Sequence, residues 1–123
     1  MAKILVAEDE AAVREFLSRG LAASGHEVTA VADGSLALDA LEIDAFDLLI
    51  SDIMMPELDG LSLALKVSKE WPGLPIVLMT GFADQQARAR NLHAQVHAVI
   101  AKPFSLEALN RVVGAALRHN AGR

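Results

Sequence analysis

Four stretches of this chain place reactive side chains directly after aliphatic runs. Glu8-Asp9 follows Ile4-Leu5-Val6-Ala7, and Asp52 follows Leu48-Leu49-Ile50. Thr80-Gly81 follows Ile76-Val77-Leu78-Met79, and Lys102-Pro103 follows the run from Val96 to Ile100. Brought together, these would offer three acids, a hydroxyl and an amine. Carboxylates held close repel, and one takes up a proton unless a cation sits among them. An all-oxygen cluster of this kind suits Mg²⁺, which takes few carboxylates, a carbonyl and waters. Thr80 and Lys102 are redundant in a pure metal site but make sense if an anion also binds there. Each residue also has a plainer reading. Glu8 and Asp9 could cap a following helix, where the dipole favours negative charge. Asp52 could open a loop, Thr80 a turn, and Lys102 could be a solvated lysine.

The elements that must position these groups follow from hydrophobic periodicity. Runs at Ile4–Ala7, Val28–Val31, Leu48–Ile50, Ile76–Met79 and Val96–Ile100 are mostly continuous, as strands covered on both faces should be. Val13, Phe16, Leu17 and Leu21 mark the inner face of a first helix, ended by Gly25. A short second helix spans Leu36–Leu41 after Asp33-Gly34. Leu61, Ala64, Leu65 and Ser68, widened by Leu63 and Val67, mark a third helix, stopped by Trp71-Pro72-Gly73. Asp84–His93 gives the weakest helical signal. Ser105 is placed to cap a last helix with Leu106, Leu109, Val113 and Leu117 inward, and a tail from Arg118 that frays. The pattern is βα five times. It predicts an α/β fold with a five-stranded, doubly wound parallel sheet of flavodoxin-like type. In such a sheet, sites form beyond the carboxyl ends of the strands, where the acids, Thr80 and Lys102 stand.

Composition agrees with a compact single domain. The chain has 123 residues, 53% of them hydrophobic, and no cysteine, so disulfides and thiol ligands are excluded. Its net charge of −5 disfavours general nucleic-acid binding. No apolar run reaches the ~18 residues of a spanning helix, nor does the start suit a signal peptide. The expected location is cytoplasmic, with no membrane contact.

The residues Ala7-Glu8-Asp9-Glu10, Ser51-Asp52-Ile53-Met54-Met55-Pro56-Glu57-Leu58-Asp59-Gly60, Met79-Thr80-Gly81 and Ala101-Lys102-Pro103-Phe104 together resemble the receiver domain of two-component response regulators. The resemblance runs from Lys3 to about Leu117 and reads residues 1–123 as one receiver without an output domain. It implies that Asp52 accepts a phosphoryl group from a sensor histidine kinase or a histidine phosphotransferase. It implies Mg²⁺ held by Asp9, Asp52 and the Met54 carbonyl, with Glu8 acting through water. Thr80 and Lys102 would contact phosphoryl oxygens, and the Lys102-Pro103 bond would be cis. A receiver is a signalling protein that assists its own phosphorylation and dephosphorylation rather than an enzyme. Without an output domain it would act by docking a target protein, near residues 81–118.

Some positions depart from that family. Receivers usually carry an aromatic residue where Val99 stands, and the chain has no tyrosine. Either Phe82 takes over the switching role or it is a packing residue. Met54 and Phe82, flanking the phosphoryl entrance, cannot orient water by hydrogen bonding. His26, His93, His97 and His119 read as surface residues. Two other activities fit less well. An aspartyl-phosphate hydrolase would need an acid at Met54, and the acids at 8–10 would repel the phosphate of a flavin. An adaptor in which docking dominates and phosphorylation only modulates, as in alphaproteobacterial single-domain receivers of regulated proteolysis, remains the alternative.

Overall fold

A computed structural model describes residues 2–55, 58–81 and 96–121. The elements are β1 (Lys3–Ala7), α1 (Ala11–Ala23), β2 (Glu27–Val31), α2 (Gly34–Ile43), β3 (Leu48–Asp52), α3 (Gly60–Glu70), β4 (Ile76–Thr80), β5 (Ala98–Ala101) and α4 (Leu106–Ala121). All strand pairs are parallel, in the order β2-β1-β3-β4-β5. Alternate residues of the inner strands feed two cores. Leu5, Ala7, Leu49, Ile76 and Leu78 meet Ala37, Leu41, Leu61, Ala64 and Val67 of α2 and α3. Ile4, Val6, Leu48, Ile50, Val77 and Met79 meet Leu17, Leu21, Leu109, Val113 and Ala116 of α1 and α4. Helices on both faces explain why β1, β3 and β4 read as unbroken apolar runs. The edge strands are less buried, and β5 begins at Ala98, two residues later than the apolar run suggests. The expected helix at Asp84–His93 lies outside the described residues. Among those described, no helix is long and apolar enough to cross a membrane.

Local signals account for most boundaries. Asp33 and Asp59 accept hydrogen bonds from the N–H groups of Leu36 and Ser62, capping α2 and α3. Ser105 Oγ accepts from Ala108 N and caps α4. Gly25 ends α1 with φ +95°, a conformation glycine adopts without steric cost. Three expectations need correction. Phe16 is 44% exposed, because the buried stripe of α1 is Leu17, Gly20 and Leu21 and position 16 lies at its margin. Leu65 is 43% exposed, because the inner face of α3 centres on Ala64 between Leu61 and Val67. The last helix continues to Ala121, since no glycine or proline lies between Arg118 and Gly122.

Candidate functional site

Strand register brings the separated polar residues to one edge. Ala7 pairs with Ser51, Asp52 with Met79, and Thr80 with Ala101. Pairing continues just past the strands, with Glu8 N donating to Val31 O, Ile53 N to Met79 O and Lys102 N to Thr80 O. Glu8 is fully buried, Thr80 nearly so, and Asp52 is 7% exposed, while Asp9 is exposed. One carboxylate oxygen from each of Glu8, Asp9 and Asp52 lies within 4.8 Å of the others. Met54, two residues past Asp52 in the chain, is exposed. The Lys102-Pro103 bond is cis.

The amine of Lys102 sits between two of these acids. Its Nζ donates to Glu8 Oε1 at 2.9 Å and to Asp52 Oδ2 at 3.1 Å. The second oxygen of Glu8 accepts from Glu10 N at 3.0 Å. Burial pushes the Glu8 carboxyl above its usual range, with the Asp52 charge adding to this; the Glu10 N–H and the Lys102 amine oppose it. Burial pulls the Lys102 amine down, but its hydrogen bonds to Glu8 and Asp52 outweigh that and raise it overall. The solvated-lysine reading of Lys102 therefore fails. The capping reading of Glu8 fails too: its carboxylate serves the N–H of Glu10, the residue that precedes α1, and the Glu10 side chain makes no cap bond.

Backbone packing holds the Asp52 end of β3. A Cβ on Gly60, the first residue of α3, would lie 2.2 Å from Asp52 O and 2.8 Å from Ile53 Cα. Only a residue without a side chain lets α3 start there. Ser51 Oγ donates to the same Asp52 carbonyl at 2.9 Å. Sequence reasoning misses two features of the site. Arg14 Nη1, one turn into α1, donates to Glu8 O at 2.8 Å and to Asp9 O at 3.4 Å. Phe16 and Phe104 form a tilted ring pair at 6.5 Å beside Lys102. A long donor a few residues past the acidic loop is the available signal for the first. The second joins two segments that no local pattern links.

Among known proteins, a family model described as the response regulator receiver domain matches residues 4–114. Response regulator MprA of Mycobacterium avium is 39% identical over 116 residues, which cover 94% of this chain and 51% of MprA. The chain thus spans about half the length of the curated relatives it matches. Among solved structures, NtrX of Brucella abortus in complex with ATP has a TM-score of 0.90 at 31% identity, over 98% of this chain and 28% of NtrX. The response regulator TrrA of Thermotoga maritima in complex with Mg²⁺ and BeF has a TM-score of 0.88 at 29% identity, over 95% of this chain and 100% of TrrA.

Proposed function

The chain belongs to the response regulator receiver domain family, and from that premise we propose that Asp52 is its phosphoacceptor, charged by a histidine-phosphorylated kinase or phosphotransferase. The observation that carries the reading is a buried Asp52 carboxylate with an ammonium at 3.1 Å and two further carboxylates beside it. In the transfer, an Asp52 oxygen forms a P–O bond as the P–N bond of phosphohistidine breaks. The imidazole keeps the electron pair. Lys102 leaves one of its acid partners to pair with a phosphoryl oxygen, a charge-assisted contact. Thr80, at the end of the neighbouring strand, donates its hydroxyl to another. Fixed charges and donors of this kind supply most of the catalysis in phosphoryl transfer.

The donor set fits Mg²⁺: hard carboxylate oxygens close together, one of them on exposed Asp9. Asp9 and Asp52 would hold the ion directly, Met54 through its backbone carbonyl and Glu8 through water, since both Glu8 oxygens already accept hydrogen bonds. When bound, it adds positive charge where three acids and a phosphoryl group meet. The TrrA structure, with Mg²⁺ and BeF, supports this assignment.

An open apolar groove of about 560 Å³ runs from Ala12, Val13 and Phe16 to Pro103 and Phe104, with Lys102 at its rim. Its occupant in this reading is the histidine-bearing helix of the donor, because the groove ends at Lys102, whose amine pairs with a phosphoryl oxygen as the group passes to Asp52. The expected target surface, residues 81–118, includes residues 82–95, which lie outside those described. Intact mass spectrometry after incubation with acetyl phosphate and Mg²⁺ tests the core of the reading. Wild type should gain one phosphoryl group and Asp52→Asn none. An adduct that persists in Asp52→Asn moves the acceptor elsewhere.

A further inference from the structure

The β1–α1 loop carries two of the three clustered acids, yet its second acid, Asp9, is exposed and begins no helix. Glu8 is fixed through both carboxylate oxygens and through its N–H. What orients the next residue is the main chain, and past the Glu8 N–H its carbonyls are held, among the described residues, by a side chain from outside the loop. Arg14 reaches back from α1 and donates to the carbonyl of Glu8 at 2.8 Å, with a longer contact to the carbonyl of Asp9 at 3.4 Å. The peptide unit that leads into Asp9 is thereby tied to the helix. The guanidinium is planar and always charged, so one group can serve two neighbouring acceptors in a fixed geometry.

We propose that Arg14 is a positioning residue of the site: its hydrogen bonds to the Glu8 and Asp9 carbonyls set where the Asp9 carboxylate stands for a divalent cation. This rests on the Mg²⁺ assignment above. Groups that orient metal ligands typically change metal affinity about 10- to 100-fold when removed. Arg14 acts through backbone and carries a charge of the wrong sign for a cation site, so two effects of its removal oppose each other. Loss of a nearby positive charge would tighten Mg²⁺ binding. Loss of the loop anchor would weaken it. The sign of the change therefore separates a positioning role from a merely electrostatic one.

The test is a Mg²⁺ titration of the EDTA-treated protein, with the dissociation constant taken from the rise in melting temperature. Arg14→Ala should bind Mg²⁺ about tenfold more weakly than wild type. Arg14→Lys, which keeps one strong donor, should lie nearer wild type. Phosphorylation of Arg14→Ala by acetyl phosphate should slow at low Mg²⁺ and recover at saturating Mg²⁺, because Asp52, Thr80 and Lys102 are untouched. Should Arg14→Ala fail to fold, Arg14→Met keeps the aliphatic stem, loses the donors and should show the same weakening. An unchanged or tightened dissociation constant overturns the proposal, even with a lower melting temperature in the metal-free protein. So does a lysine variant no better than alanine. A wild type that does not respond to Mg²⁺ overturns both this and the metal assignment. Wild-type binding with an unaltered variant overturns this inference alone.

Discussion

The two edges of the sheet each hold a lysine between two carboxylates, and they differ in what surrounds it. At the carboxyl edge Lys102 pairs with Glu8 and Asp52, whose side chains are 0% and 9% exposed. At the amino edge Lys3 pairs with Asp44 and Glu27, whose side chains are 49% and 58% exposed. Pairing chemistry is the same; burial is not. Solvated pairs gain little, because water and salt screen them and ordering two long side chains costs entropy. The two buried acids are largely shut off from water, so both depend on the amine they share. A group that must exchange partners during a reaction is useful only where its partners hold it firmly, and that condition is met at one edge alone.

The widest contrast is expected from two glycine substitutions. Gly60→Ala drives a Cβ to 2.2 Å from the Asp52 carbonyl, a backbone atom that cannot step aside. Overpacking of this kind costs about 1–3 kcal/mol and forces backbone shifts. Because the shifted backbone is that of Asp52, phosphorylation should be nearly lost. Gly73, in the turn between α3 and β4, has open space within 4 Å of where a Cβ would stand and no positive φ. Gly73→Ala should melt close to wild type and phosphorylate normally. Equal effects of the two, read by thermal melts and intact mass, would dissolve the asymmetry between the edges.

Next in size is Lys102→Ala. Removing one partner of a fully buried pair costs about 3–5 kcal/mol, and about 2 kcal/mol is expected here since Lys102 keeps some solvent contact. The loss should depend on pH. Glu8 has a raised pKa in the fold, so the folded state holds its proton more tightly than the unfolded chain does. Stability from this group is full below the ordinary glutamate value and falls as pH rises through the raised one. Without Lys102 the charged form of Glu8 loses a stabilising partner and its pKa rises further. The stability deficit of Lys102→Ala relative to wild type should therefore shrink on acidification. In wild type the raised Lys102 pKa adds stability that is complete below about 10.5 and lost as pH rises through the folded value. Denaturant melts across pH check both signs. A deficit that does not change with pH would mean that Glu8 does not feel the missing amine.

The site was more legible in the sequence than the details of packing, for a physical reason. Strand ends in a parallel sheet are placed by hydrogen-bonded register, so Glu8, Asp9, Asp52, Thr80 and Lys102 were bound to converge once five runs were recognised. The margins of helical stripes are set by how each helix rolls on the sheet, which periodicity alone does not fix, and Phe16 and Leu65 lay at such margins. The Lys102 bridge to Glu8 depends on two side chains 94 positions apart meeting in a low-dielectric gap. From residue types alone, Mg²⁺ was the cation expected among the acids; the fold supplies an ammonium there as well. The Lys3 cluster had no signal at all, since Lys3, Glu27 and Asp44 sit in three segments with no shared motif.

The smaller of the two lysine effects should come from Lys3→Met. Lys3 reaches the Asp44 carboxylate by a close hydrogen bond and Glu27 at 3.6 Å, and its amine lies 5.6 Å from the centre of the Phe46 ring. The hydrogen bond to Asp44 raises the Lys3 amine, and the same bond lowers the Asp44 carboxyl. The lowered Asp44 group contributes stability above the ordinary aspartate range and loses it as pH falls through the folded value. The raised Lys3 group contributes below the ordinary lysine range and loses its share as pH rises through the folded value. Whatever the pair adds is therefore confined to the span between those limits, and salt should erode it because both groups face water. Methionine keeps the unbranched stem that covers Phe46, so the substitution removes charge and little packing. Melts at neutral pH in low and high salt should place Lys3→Met slightly below wild type in the first and level with it in the second. The Lys102→Ala deficit should persist in high salt, because its partners are shielded from the counterions. A Lys3→Met deficit as large and as salt-resistant as that of Lys102→Ala would show that burial is not what separates the two lysines.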